Sequence, residues 1–184
     1  KLVIDEVDQM LGLGFRQQLI GLLDLLPTKR QNLMFSATLN EEVESVIKKY
    51  FNEPFTIEIA AHGTPLEQIV QIAYHVPNFN TKVNLLEHLL HTDTEMSKVL
   101  VFTETKKLAD KLYEQLENRF KKQVGVIHSN LAQTARISAL KHFHDGSKRV
   151  LIATDIMARG LDISDVSHVV NFDMSNRPED YIHR

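Results

Sequence analysis

Val150-Leu151-Ile152-Ala153 runs straight into Thr154-Asp155-Ile156-Met157-Ala158-Arg159-Gly160-Leu161-Asp162-Ile163. The four apolar residues are continuous rather than alternating. Such a run suits a strand buried on both faces of a parallel sheet. A hydroxyl, a cation, a glycine and two carboxylates then gather at one strand end. In open α/β sheets, ligands bind at that end. Arginine forks onto phosphate. Glycine lets a backbone approach closely, and an acidic residue can bond a ribose hydroxyl. The bland alternative is a polar turn closed by an Arg–Asp pair.

The pattern repeats outward along the chain. Further strands are expected at Leu2–Ile4, Asn32–Phe35, Phe55–Ile59, Ile69–Val76, Val99–Thr103, Val124–His128 and His168–Phe172. Helices are expected between them. Leu108, Leu112, Leu116 and Phe120 recur every four positions, with Lys107, Lys111 and Glu114 off that stripe. Two more helices are expected over Lys82–His91 and Gln133–Phe143. This β-α-β-α order predicts an α/β fold, an open parallel sheet with flanking helices.

Composition limits the function classes. The chain has 184 residues, 43% hydrophobic and 24% charged, which fits globular domains and excludes a disordered or fibrous chain. It has no cysteine, which excludes disulfides and thiolate metal sites. No apolar run approaches the roughly 20 residues of a membrane span. The net charge is −3, so nucleic acid could be held only by a local patch. Lys106–Arg149 carries ten basic and four acidic residues, net +6, although Lys106, Lys107, Lys121 and Lys122 would face water in any case. A boundary is expected at Ala60–Leu66, where small residues, Gly63 and Pro65 interrupt the periodicity.

Two more strand ends carry candidate chemistry. Asp5-Glu6-Val7-Asp8 follows Leu2-Val3-Ile4. One carboxylate there could anchor Mg²⁺ and its neighbour could orient a water; a solvated turn opening a helix is the alternative. Ser36-Ala37-Thr38 follows Asn32-Leu33-Met34-Phe35 and could bond a carboxylate or cap a helix starting near Asn40. The histidines at 62, 75, 88, 91, 142 and 144 show no metal-ligand spacing; His128 closes a strand.

Together these segments resemble the motifs of DEAD-box RNA helicases, from motif II to the start of motif VI. Val3-Ile4-Asp5-Glu6-Val7-Asp8 resembles motif II, with Val7 where the family usually has Ala. Ser36-Ala37-Thr38 resembles motif III, and Leu100-Val101-Phe102-Thr103-Glu104-Thr105-Lys106 resembles motif IV. Gln133-Thr134-Ala135-Arg136 fits the Q-x-x-R of motif IVa, Ala153–Ile163 resembles motif V, and Tyr181-Ile182-His183-Arg184 begins motif VI. Related DEAH and DNA-unwinding helicases usually place Gln where His183 stands.

The resemblance implies two RecA-like domains with ATP and RNA between them. Residues 1–60 would be the end of the first domain, 61–66 a linker, and 67–184 most of the second, cut within motif VI. Asp5 would hold Mg²⁺ and Glu6 would position the attacking water. Asp8 would couple to Ser36 and Thr38, and with His183 these would tie the ATP state to domain closure. Arg159, Asp162 and Arg184 would face the nucleotide. Thr105, Gln133, Arg136, Thr154 and Gly160 would lie along the RNA backbone. Phe102 would support the motif VI arginines.

The implied activity is ATP-dependent RNA unwinding or remodelling, by a monomer in the cytoplasm or nucleus. A non-catalytic RNA-binding or scaffolding relative is the alternative, disfavoured by the intact carboxylates. The sequence contains no G-x-x-x-x-G-K-[ST] phosphate loop. It begins inside a strand pattern at Lys1 and stops at Arg184, so it is expected to be an internal piece of a longer protein, inactive alone.

Overall fold

The computed structural model describes residues 1–59, 69–155, 163–175 and 178–184. The chain divides into two units, Lys1–Ile72 and Ala73–Arg184. Within the first, β1 (Leu2–Ile4) and β2 (Asn32–Met34) pair in parallel, Val3 opposite Leu33. Helices α1 (Val7–Gly12), α2 (Arg16–Leu25) and α3 (Glu41–Tyr50) pack on one sheet face. Ile4, Val7, Leu11, Leu19, Leu23, Val43 and Val46 form that core. Leu2 and Met34 pack against it, while the alternating residues Val3, Leu33 and Phe35 are exposed. The α3 helix opens on Asn40, whose side chain accepts from Val43 N at 3.0 Å. Glu41, Glu42 and Glu44 lie in its first turn and Lys48 and Lys49 in its last, matching the helix dipole at both ends.

The second unit holds a four-stranded parallel sheet in the order β4-β5-β3-β6. Its strands are β3 (Val99–Thr103), β4 (Val124–Ile127), β5 (Val150–Thr154) and β6 (His168–Asn171). Its helices are α4 (Phe79–Thr92), α5 (Lys106–Phe120), α6 (Gln133–His144) and α7 (Pro178–Ile182). Both faces are covered. Val99, Val101, Val150 and Ile152 pack with α4 and α5, through Leu86, Leu90, Leu112 and Leu116. Leu100, Phe102, Leu151 and Ala153 face Phe143 of α6. Every residue of β3 and β5 is therefore buried, and their sequences read as apolar runs closed by Thr103 and Thr154.

Two expected strands are absent. Residues 55–59 and 69–76 form no strand in the structure. Phe55, Ile57, Ile59, Ile69, Val70 and Ile72 are exposed, Ile59 at 98%. A strand is stabilised by a neighbour that takes its backbone hydrogen bonds, and an apolar run alone does not supply one. Residues 60–68, including the expected linker, lie outside the described residues. Among the described residues, no helix is long and apolar enough to cross a membrane.

Candidate functional site

In the first unit the acidic turn leaves β1 at its carboxyl end. Asp5 is exposed, and its Oδ1 accepts from Glu6 N at 2.9 Å. Glu6 takes the position before α1 with φ 51 and ψ 43, left-handed backbone that disfavours a side chain. Such a conformation costs about 1–3 kcal/mol and persists only when its surroundings fix it. Here Val7 is fully buried in the core, and its N–H donates to Phe35 O at 3.2 Å. The two methyls by which Val7 exceeds the family's usual Ala thus fill core space.

Asp8 sits in the first turn of α1 and is buried. Its Oδ2 accepts from Thr38 N at 2.9 Å and from Thr38 Oγ1 at 2.8 Å. Its Oδ1 accepts from Gln9 N at 3.0 Å. The carboxylate therefore joins the ends of β1 and β2. The Ser36 hydroxyl turns to the Thr38 carbonyl at 2.6 Å, so Ser36 reaches Asp8 only by way of Thr38. Neither hydroxyl caps α3, because Asn40 holds that place.

In the second unit the candidates collect along the carboxyl edge of the sheet. Thr154 ends β5 and pairs with Thr103 of β3. Thr105 caps α5, its Oγ1 accepting from Leu108 N at 3.2 Å, which leaves the hydroxyl proton able to donate outward. Gln133 and Arg136 open α6; the Arg136 guanidinium donates to Gln133 Oε1. β5 lies between β3 and β4, so Thr105, Thr154 and the start of α6 come from three adjacent strand ends. Arg159, Gly160 and Asp162 lie outside the described residues.

Arg184, which the resemblance places at a nucleotide, has a side chain 2% exposed within this chain. Its Nε donates to Asp155 Oδ1 at 2.5 Å and its NH2 group to Asp155 Oδ2 at 2.9 Å. Its NH1 group donates to Asn171 Oδ1 at 2.9 Å and to Asp173 O at 2.7 Å. The Phe102 ring lies beneath it, 5.1 Å from the guanidinium carbon. Four of five N–H donors are thus committed to protein groups. Arg184 is a latch across the ends of β3, β5 and β6. His183 is half-buried immediately after α7.

Sequence reading counted Asp155 only as one of two carboxylates at its strand end and passed over Asp173. Asp173 also accepts from Lys82 Nζ at 2.9 Å and from Glu104 N at 3.2 Å. Both are carboxylates one or two residues beyond a strand, which was the available signal. Among the described residues, no three acidic or histidine side chains converge as a metal site.

Comparison with known proteins fits this geometry. The family described as "Helicase conserved C-terminal domain" matches residues 81–184, and "DEAD/DEAH box helicase" matches residues 1–46. The chain is 38% identical over 182 residues to the DEAD-box ATP-dependent RNA helicase CshA of Geobacillus kaustophilus, covering 99% of this chain and 38% of that one. It is 36% identical to eukaryotic initiation factor 4A-3 of Arabidopsis thaliana, covering 99% of this chain and 44% of that one. The structure of S. cerevisiae Dbp5 bound to RNA and ADP BeF3 matches with a TM-score of 0.86 and 32% identity, covering all of this chain and 49% of that one. The chain thus spans less than half the length of these relatives. With one family match across more than half its length and the RecA-like fold shared with the solved structures, the chain belongs to the DEAD-box helicase family.

Proposed function

We propose that this chain forms part of an ATP-dependent RNA helicase, supplying the motif II carboxylates and most of an RNA-gripping second domain. The bond pair between Asp8 and Thr38 carries the reading, because it links the acidic turn to motif III. The donor set fits Mg²⁺. Asp5 is an exposed carboxylate with one oxygen held by Glu6 N. Mg²⁺ keeps most of its waters and needs only one or two protein carboxylates beside substrate phosphates. Mg²⁺ and ATP together would supply a transferable phosphoryl group whose charge the ion offsets.

Asp5 holds the metal in this reading. Glu6, fixed in its strained turn, orients a water. Asp8 conveys the state of the turn to Thr38. Asp162 and Arg159 meet the nucleotide. Thr105, Gln133, Arg136, Thr154 and Gly160 hold RNA phosphates and sugars, contacts that carry no sequence information. The test is Glu6→Gln in the whole protein. Mg·ATP binding should persist while RNA-stimulated ATP hydrolysis falls about a hundredfold or more, the typical cost of a positioning group. Near-normal hydrolysis overturns the role of Glu6, whereas no hydrolysis by the unaltered protein favours an RNA-binding protein without catalysis.

A further inference from the structure

The start of α6 lacks a local anchor. Ala132 occupies the cap position and offers no side-chain hydrogen bond to the helix. Uncapped first turns leave N–H groups unmet and the entry angle loose. Gln133 and Arg136 sit in that first turn, which begins five residues beyond His128. Something else must hold them.

The holding groups lie on α5. Asp110 Oδ1 meets His128 Nε2 at 2.7 Å, and Lys106 Nζ donates to Asn130 Oδ1 at 2.8 Å. Lys106 and Asp110 are one helical turn apart and of opposite charge. Rather than pairing with each other, each reaches across to the turn at 128–131. The turn is closed by Leu131 N donating to His128 O at 3.1 Å.

Burial makes the histidine informative. Its side chain is 2% exposed, while that of Asp110 is 53% exposed. An ionised carboxylate only accepts, so Nε2 carries the proton. Nδ1 is buried with no partner among the described residues. A buried nitrogen left unbonded is destabilising, and an apolar residue would suit the spot better on stability alone. We propose that Asp110, through His128, and Lys106, through Asn130, are positioning residues that fix Gln133 and Arg136 for RNA. Both ties spring from the helix that Thr105 caps. One rigid element therefore sets the distance between the two RNA-facing strand ends on either side of Thr154. The proposal rests on the RNA reading above.

The test is titration of single-stranded RNA with the 184-residue chain at one fixed salt concentration, with thermal melts alongside. Simple electrostatics says that Asp110→Ala, by removing a negative charge near RNA, should strengthen binding. Positioning says the opposite: about three- to tenfold weaker binding, of the size expected for a misaligned charged hydrogen bond. Asn130→Ala, a neutral exposed change that cuts the other tie, should weaken binding in the same way. Arg136→Ala should cost about tenfold, and adding Asp110→Ala to it should cost little more, because the group being positioned has gone. His128→Gln keeps an N–H to donate to Asp110 and should bind as the unaltered chain, whereas His128→Leu should not. Unchanged binding by Arg136→Ala overturns both the RNA reading of α6 and this proposal. Weakened binding by Arg136→Ala overturns only the positioning role if Asp110→Ala binds normally or tighter, or if the two losses multiply.

Discussion

Asp8 is ionisable and buried, so its charge needs compensation inside the protein. Thr38 gives two hydrogen bonds to one carboxylate oxygen, and Gln9 gives a third to the other. Thr38→Val keeps the shape and deletes one bond to a buried charge. The expected loss is about 1.5–3 kcal/mol, read as a lower urea midpoint. Ser36→Ala, which removes an exposed hydroxyl, should change stability by no more than about 0.5 kcal/mol. Equal effects would mean that the Asp8–Thr38 pair is not holding the two strand ends. Asp145 makes a pH prediction. The hydroxyl and N–H of Ser147 hold its carboxyl below the ordinary value of 3.8. The unfolded chain then binds that proton more tightly. Its contribution to stability is present above the unfolded value and is lost as pH falls through the folded one. Carbon-detected NMR titration should find Asp145 below the ordinary range and Ser147→Ala returning it upward. Asp8 and Thr38 were legible because both follow apolar runs, and strand ends gather functional groups. The partners of Arg184 were not legible, because a sequence does not say which carboxylate an arginine meets.

The α6 helix packs on the sheet through Phe143, with Ala139 and Leu140 partly buried beside it. Phe143 is fully buried against Leu100, Phe102, Ile127, Leu151 and Ala153. Phe143→Ala should cost about 3–5 kcal/mol, a large share of the roughly 5–15 kcal/mol that holds an ordinary domain folded. Ile137→Ala on the same helix removes an exposed side chain and should change stability by no more than about 0.5 kcal/mol, read by urea unfolding. Strand and helix positions in the second unit were largely legible. Where both faces of a sheet are covered, its strands are apolar on both sides, as β3 and β5 are up to their closing threonines. The same rule overreached at residues 55–59 and 69–76. Apolarity says that a segment gains from burial; it does not name the neighbour that would bury it.

Charge is uneven along the chain, with the positive stretch confined to one segment of the second unit. Residues 1–60 carry six basic and nine acidic side chains, while Lys106–Arg149 carries ten and four. Phosphate contacts dominate nucleic-acid affinity, and each releases counterions. This chain should bind single-stranded RNA weakly, with affinity falling steeply between two salt concentrations. It should not bind Mg·ATP at micromolar concentration. It contains no phosphate loop, and one ribose hydrogen bond contributes about 0.5–1.5 kcal/mol, where millimolar affinity already needs about 4 kcal/mol. Calorimetry with Mg·ATP beside the RNA titration checks both statements. Micromolar ATP binding, or RNA affinity indifferent to salt, would contradict the placement of the two sites.

The strand order also dictates a sequence of events during synthesis. β5 pairs with both β3 and β4, yet follows both in the chain. A ribosome therefore delivers β3 and β4 with the slot between them vacant. Until residues 150–154 emerge, two apolar strands wait with bare edges, the condition under which nascent chains pair wrongly or aggregate. Arg184, later still, cannot close its latch until β6 and α7 have been made. Ribosome-bound chains that end before Val150 should thus be the natural clients of a holding chaperone, and chains that include β5 should escape it.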